Sequence, residues 1–543
     1  MMAARYLNKR WVQVQCDSQC VGRLARELKV SDLIATLLAN RGITEVETAH
    51  KFLNPKLSDL HDPFLMRDMR EAVDRVLRAV EQKEKILIYG DYDVDGTTST
   101  VILKKALSIA GADVHYYIPE RLKDGYGLRE DAMERAKEEG YHLIISVDTG
   151  IRARQVVEHA RSLGLDIIIT DHHLPEEGLP RAHAVLNPKR TDCSYPDKNL
   201  AGVGVAFKLA QALLTETGYA RYVESFIKIA AIGTIADIVP LIGENRVIAK
   251  YGLLGLERPS NLGLRALLEV AGIANRPITS FDVGFRIGPR INAAGRMAGA
   301  NAVVDLFDAT DFQTAMQMAL SMDHQNAARQ QAEADILAQI FAEIERNTDI
   351  SSSHVAVIAG EGWHRGVIGI AAARVVEQIH RPTIIISIEN GIGHGSGRSI
   401  RAFHLLDGLS TCAELFERFG GHSHAAGLAV RAENVDELRR RLNEHARKVL
   451  KEEDLIPIID IDYRLPLKQA TLELMEELMQ LEPHGPGNPQ PVFETQGAQI
   501  VSAPRVLKDK HLKFRVLQGN RWLDCLWWGA GARAADIFPG DRV

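Results

Sequence analysis

The chain has 543 residues, of which 46% are hydrophobic and 25% charged, with a formal net charge of −6. At roughly 150 residues per domain this length implies three or four hydrophobic cores, and the composition excludes a disordered chain. The start, MMAARYLNKRWVQVQC, has no cleavable-leader pattern and no run of about 18 apolar residues occurs, so a cytoplasmic location without a membrane partner is expected; the acidic balance confines any DNA site to a local basic groove.

Residues 1–51 form an N-terminal segment. From Lys85 to about Pro240, short apolar runs alternate with helical stretches, which predicts βαβ units and a largely parallel sheet with strands at 86–89, 143–147 and 166–170. Their continuous apolar character suits strands covered on both faces. Residues 302–346, rich in Ala, Gln, Met and Glu without Pro or Gly, predict a long connecting helix. A second α/β unit follows, with strands at 354–360 and 383–388. Beyond residue 455, alternating segments such as HLKFRVL and RWLDCLWW predict a small β-barrel, which stops at PGDRV and is therefore expected to be incomplete. The five cysteines, 16, 20, 193, 412 and 525, have no CxxC spacing and suggest neither a disulfide framework nor a zinc ribbon.

The first predicted strand runs into Asp91-Tyr92-Asp93-Val94-Asp95-Gly96. If that stretch is extended, alternate residues share a side and three carboxylates crowd together, which calls for a hard cation such as Mg²⁺ or Mn²⁺. An EF-hand shares this pattern but needs Glu at its twelfth position, where Ile102 stands; a solvated acidic turn is the other reading. The next two strands end at Asp148 and at Asp171-His172-His173. Ligands of open parallel sheets lie beyond the carboxyl ends of the strands, so the three ends should meet in one crevice, and imidazole tilts the metal toward Mn²⁺. Asp237 closes a helical run before Val239-Pro240; alone it reads as a cap or surface residue.

Together, Asp91-x-Asp93-x-Asp95, Asp148, Asp171-His172-His173 and Asp237 resemble the ordered motifs of the DHH phosphoesterase superfamily. LAGVGVA (200–206), GPRINAAGR (288–296), GGHSHAAG (420–427) and LEPHGPGNP (481–489) resemble the RecJ exonucleases within it. The resemblance spans roughly Phe52 to the end. It implies a DHH catalytic domain (52–300), a connecting long helix (301–350), a DHH-associated α/β domain (351–454) and an OB fold (455–543) around a central groove.

The activity so implied is two-metal hydrolysis of single-stranded DNA from the 5′ end, in DNA repair and recombination, with Mn²⁺ or Mg²⁺ as cofactor. Its metal ligands would be Asp93, Asp95, Asp148, His172 and Asp237, with Asp148 as the bridge; Asp91, Asp171, His173 and His422 would take catalytic or positioning roles. Ser396 and Arg398 in GHGSGRS (393–399), with Arg121 opposite, would hold a 5′-phosphate; a plain Gly-rich turn is the competing reading of that stretch. Gly421 would lie close to the centre, and Arg286, Arg290, Asn292, Arg296 and Gln330 would line the DNA. In the barrel, Phe514, Trp522, Trp527 and Trp528, interleaved with Lys508, Lys510, Lys513, Arg515 and Arg521, suit base stacking, while core packing should claim about half of the rings. Tyr89 stands where small-substrate members carry a metal-binding His, which disfavours the pyrophosphatase branch. The alternative function is a phosphodiesterase of short oligonucleotides or cyclic dinucleotides; a catalytically dead DNA-binding scaffold is disfavoured by intact carboxylates and histidines. Partners implied are single-stranded DNA, a single-stranded-DNA-binding protein and a helicase, and a monomer is expected.

Overall fold

The computed structural model describes residues 9–120, 124–125, 127–297, 299–347, 350 and 353–543. Strand β1 (Arg10–Gln13) opens the chain and pairs in parallel with Ile458–Ile461, far along the sequence. The sheet of the first α/β domain contains β2 (Lys85–Tyr89), β3 (Asp113–Tyr117), β4 (Tyr141–Val147), β5 (Asp166–Thr170) and β6 (Ala184–Leu186), all parallel, in the order β3-β2-β4-β5-β6. Strands β3 and β6 carry no apolar run strong enough to predict them. Alternate residues serve two cores: Ile86, Ile88, Leu143 and Ile145 face one, and Leu87, Tyr89, Ile144 and Ile167 face the other.

The predicted connecting helix is two helices. Asn301–Asp308 ends at Ala309, and a 35-residue helix, Phe312–Arg346, begins anew because the Asp311 side chain caps it by accepting from Thr314 N at 2.8 Å. Its first half packs Ala315, Ala319 and Met322 into the catalytic core. Its second half packs Ile336, Ile340 and Ile344 into the core of the next domain, so one element fixes the spacing of the two.

That second domain is a mixed sheet of β7 (Ala356–Glu361), β8 (Thr383–Glu389), β9 (Ile392–Arg398), β10 (Phe416–Gly421) and β11 (Ala425–Arg431), ordered β10-β11-β9-β8-β7. Only β7 and β8 run parallel; β9 lies antiparallel between β8 and β11.

The N-terminal helices Ser18–Leu28, Asp32–Asn40 and Val46–Leu53 share a core with Leu465, Leu474, Leu478 and Leu481. Two buried side chains stitch this junction. Arg246 gives its guanidinium to the carbonyls of Phe52, Gln480, Leu481, Glu482 and Pro483, and burial pushes its pKa down to about 9. Asn488 donates to the carbonyls of Leu481 and Pro483 and accepts from Arg41. The barrel strands proper, Gln499–Ile500, Arg505–Leu507, His511–Gln518 and Arg521–Trp527, follow that knot.

Candidate metal centre

Each catalytic strand extends its ladder one residue past its end before releasing an acidic loop. Gly90 N donates to Tyr117 O, Asp148 N to Thr170 O and Asp171 N to Leu186 O, at 2.9, 2.9 and 3.0 Å. Asp91 to Asp95 does not stay extended. Asp93 is the N-cap of helix Val94–Ile109, accepting from Gly96 N at 3.0 Å, and Asp95 sits in the first helical turn. Crowding of the three carboxylates thus comes from a strand-to-helix turn, with Gly96 required because a Cβ there would lie 2.5 Å from Asp91 O.

Three sets of ligand atoms lie within 4.8 Å of one another: Asp91, Asp93 and Asp148; Asp148, His172 and His173; and Asp95, His172 and Asp237. Asp148 joins the first two sets. It adopts a left-handed φ of 60°, unusual for a non-glycine residue and a mark of a conformation held by its surroundings. Its Oδ1 is buried, accepts no hydrogen bond and lies 3.2 Å from Nε2 of His172. A buried carboxylate oxygen without a donor suits a cation.

Burial, then the neighbouring carboxylates, pushes the pKa of Asp95 and of Asp148 well above the ordinary range. Asp237 rises to about 8 by burial and then the charge of Asp93, against the opposing pull of Lys189. Burial also drives His172 down to about 3, leaving it the neutral imidazole that ligates metals. Acids this strained, around a neutral imidazole, fit a divalent cation.

Asp171 serves a different purpose. Its Oδ1 accepts from the backbone N of His172 and His173 and from His173 Nδ1 at 2.7, 3.0 and 2.7 Å, and its Oδ2 accepts from Ile151 N. Burial opposes its ionisation, but these donors prevail and hold its pKa low. The carboxylate therefore orients His173. Sequence reasoning missed the support of Asp95: Gly202 N and Val203 N, opening helix Gly202–Glu216, each donate to it at 2.7 Å. A Cβ on Gly202 would stand 2.6 Å from Asp148 Oδ1. The glycine in LAGVGVA was the available signal.

On the second domain, GHGSGRS is neither a turn nor a nest of free amides. Residues 393–398 lie in β9, whose amides belong to a central ladder, so what it can offer a phosphate is side chains. Gly393, Gly395 and Gly397 face the core, where a Cβ would meet Ile386, Leu428 and Leu405 at 2.6 to 2.8 Å. His394, Ser396 and Arg398 take the other face, with Arg398 Nη1 3.2 Å from Ser396 Oγ. Gly421, at φ 147°, turns the β10–β11 hairpin and leads to His422. Burial, then the charges of Arg152, His424, Arg398 and His173, lowers the pKa of His422.

Arg121 lies outside the described residues. Tyr89 is fully buried, donates its hydroxyl to Gly127 O at 3.0 Å, and belongs to none of the three ligand sets. Arg286 pairs with Asp282 and Arg290 with Asp323, while Arg296 donates to Gly366 O at 2.5 Å across the domain boundary. Asn292 is half-buried and Gln330 exposed on the long helix. In the barrel, Phe514 and Trp527 pack against the core, whereas Trp522 and Trp528 stand 53% and 68% exposed, with Arg515 4.0 Å above the Trp522 ring. Among the described residues no helix is long and apolar enough to cross a membrane.

The chain matches the DHH family, N-terminal domain, over residues 85–234, the DHHA1 domain over 352–448 and the RecJ OB domain over 461–543. It is 41% identical over 537 residues, 98% of this chain and 67% of the relative, to the single-stranded-DNA-specific exonuclease RecJ of Bacillus subtilis (strain 168). Its structure resembles RecJ from Thermus thermophilus in complex with Mn²⁺, with a TM-score of 0.82 and 31% identity over 96% of this chain and 74% of that one. The Mg²⁺ complex of the same protein gives a TM-score of 0.75 and 29% identity over 96% and 72%.

Proposed function

The chain belongs to the RecJ family, and on that premise we propose how it acts: it is a metal-dependent, single-stranded-DNA-specific exonuclease that releases nucleotides stepwise from the 5′ end. The observation that carries this reading is the convergence of six carboxylate and imidazole residues around Asp148, whose buried oxygen has no donor. Mn²⁺ or Mg²⁺ bound there supplies Lewis acidity toward a phosphodiester and lowers the pKa of water. Asp93, Asp95, Asp148, His172 and Asp237 hold the ions, with Asp91 beside them. Asp171 engages His173 Nδ1 and so orients the imidazole, which is assigned to the scissile phosphate.

Polarity follows from the far wall. Ser396 and Arg398, with His422 beside them, are suited to a terminal phosphate, and gripping it would place the next phosphodiester at the acidic cluster. Arg121 is assigned to the same phosphate, Gly421 to the surroundings of the acidic cluster, Arg286, Arg290, Asn292, Arg296 and Gln330 to the DNA path, and Trp522 and Trp528 to base stacking on the barrel. A cytoplasmic repair role beside a single-stranded-DNA-binding protein and a helicase completes the proposal.

The test is Mn²⁺-dependent digestion of a 3′-labelled single strand, run beside a dinucleotide and a blunt duplex. Progressive shortening of the labelled strand, with the duplex resistant, is expected. A labelled mononucleotide as the first product would reverse the direction, and preferential turnover of the dinucleotide would favour the small-substrate reading.

A further inference from the structure

Residues 280–297 form one continuous helical path containing a π-helical turn, Val283–Ile287. Such turns are rare and concentrate at functional sites. Here Val283 and Ile287 are fully buried in the catalytic core, which anchors one side of the turn and leaves the other facing solvent. On that outer side Phe281 and Phe285 are 57% and 62% exposed and stack on each other, ring centroids 4.6 Å apart and 24° from parallel.

The pair sits at a junction. A Cβ at Gly288 would lie 3.5 Å from the Ala236 side chain, so the turn rests against the helix end that delivers Asp237. Ser280 Oγ donates to His484 O at 2.6 Å, which ties the same turn to the segment leading into the barrel. Ile238, next to Asp237, adds an apolar side chain 71% exposed. Asp282 pairs with both Arg276 and Arg286, at 2.6 and 3.5 Å, so two guanidinium groups border the turn that carries the rings.

We propose that Phe281 and Phe285 form a base-stacking platform for single-stranded DNA on its way between the acidic cluster and the barrel. Exposed, nearly parallel rings bordered by guanidinium groups are what a sequence-indifferent single-strand site uses, because every base offers a π-face and every linkage a phosphate. The inference rests on the exonuclease reading and adds a subsite to it.

The test compares wild type with F281A/F285A, F281L/F285L and F281W/F285W, using oligo(dT) in which one abasic residue is walked along the strand. One stacked base corresponds to about a tenfold change in affinity. Both the Ala and the Leu variants should raise KM about tenfold with kcat within about twofold, and the Trp variant should restore KM. One abasic position should weaken wild type about tenfold and leave the Ala variant unaffected. Unchanged KM in the Ala variant, or abasic and Ala effects that simply multiply, would overturn the platform. A changed oligomeric state by sedimentation with unaltered DNA binding would likewise overturn it by assigning the rings to a protein contact. Fluorescence anisotropy on oligo(dT) in metal-free buffer keeps the two readings apart: absence of cleavage by wild type in the Mn²⁺ assay defeats the exonuclease reading, while a difference in Kd between wild type and variant without metal still reports on the platform.

Discussion

Replacing Asp148 by Asn should make the metal-free protein more stable while abolishing its activity. The substitution keeps the side chain's shape, and Asn tolerates a left-handed backbone, so the φ of 60° at this position adds no strain. It removes one charge from a buried site where ligand atoms of Asp91, Asp93 and Asp148 lie within 4.8 Å of one another. At an effective dielectric of about 20, two ionised carboxylates at that separation repel by roughly 3 kcal/mol. Protonation already relieves part of this, since the pKa of Asp148 itself is pushed well above the ordinary range, so the gain grows as pH rises and the carboxylate ionises. A net gain of about 1 to 3 kcal/mol remains, or roughly 2 to 6 °C in Tm for a unit of about 250 residues. Hydrolysis should fall by about a thousandfold with the loss of a shared ligand. Thermal melts in EDTA and in Mn²⁺, alongside nuclease assays, check this: wild type should gain stability on adding Mn²⁺ and D148N should gain little. A lower Tm for D148N in EDTA, or equal stabilisation of both proteins by Mn²⁺, would refute the account of Asp148 as a strained, cation-seeking carboxylate.

In the absence of metal, Asp237 holds in the native state a proton that the unfolded chain sheds near pH 4, so its contribution is full below that pH and is lost as pH rises to about 8; Asp95 and Asp148 act in the same sense. Urea titrations in EDTA should therefore show stability declining by up to about 5 kcal/mol across that window, and Mn²⁺ should flatten the decline. G202A should lose Mn²⁺ affinity and activity together, because the added Cβ would meet Asp148 Oδ1 at 2.6 Å and disturb the amides holding Asp95; calorimetric Mn²⁺ titration gives the affinity. R398A should slow digestion of a 5′-phosphorylated oligomer about 10- to 100-fold relative to a 5′-hydroxyl one, the loss expected for a charge-assisted phosphate contact, as read from kcat/KM on both substrates.

The catalytic strands were legible because continuous Ile and Val runs have few other uses, and their ends announced the acids. The metal centre was legible as a set but not as a shape. Asp95 was placed on an extended segment, whereas Asp93 caps a helix there, a choice that depends on the tertiary partner the Asp95 carboxylate finds at Gly202. The two short edge strands, Asp113–Tyr117 and Ala184–Leu186, escaped notice because pairing with a strong neighbour, more than their own composition, defines them. A turn stood as the competing reading of GHGSGRS because glycine also marks turns, whereas these glycines answer to packing in a central strand. The break before Phe312 rested on one capping aspartate within an otherwise helical composition.

The knot around Arg246 bears on where this chain can be cut. Its guanidinium is buried and finds its acceptors on Phe52 and on four consecutive carbonyls, Gln480 to Pro483, with no carboxylate paired to it among the described residues. A truncation at residue 455, the apparent start of the barrel, would take away those four carbonyls and leave a cation stranded in an apolar pocket. Leu241 N also donates to Pro486 O, and it lies four residues from Asp237, so the damage would reach the metal centre. The tail is thus grafted into the catalytic domain, and the first residue at which the barrel could be exchanged or removed as a module lies beyond Pro489.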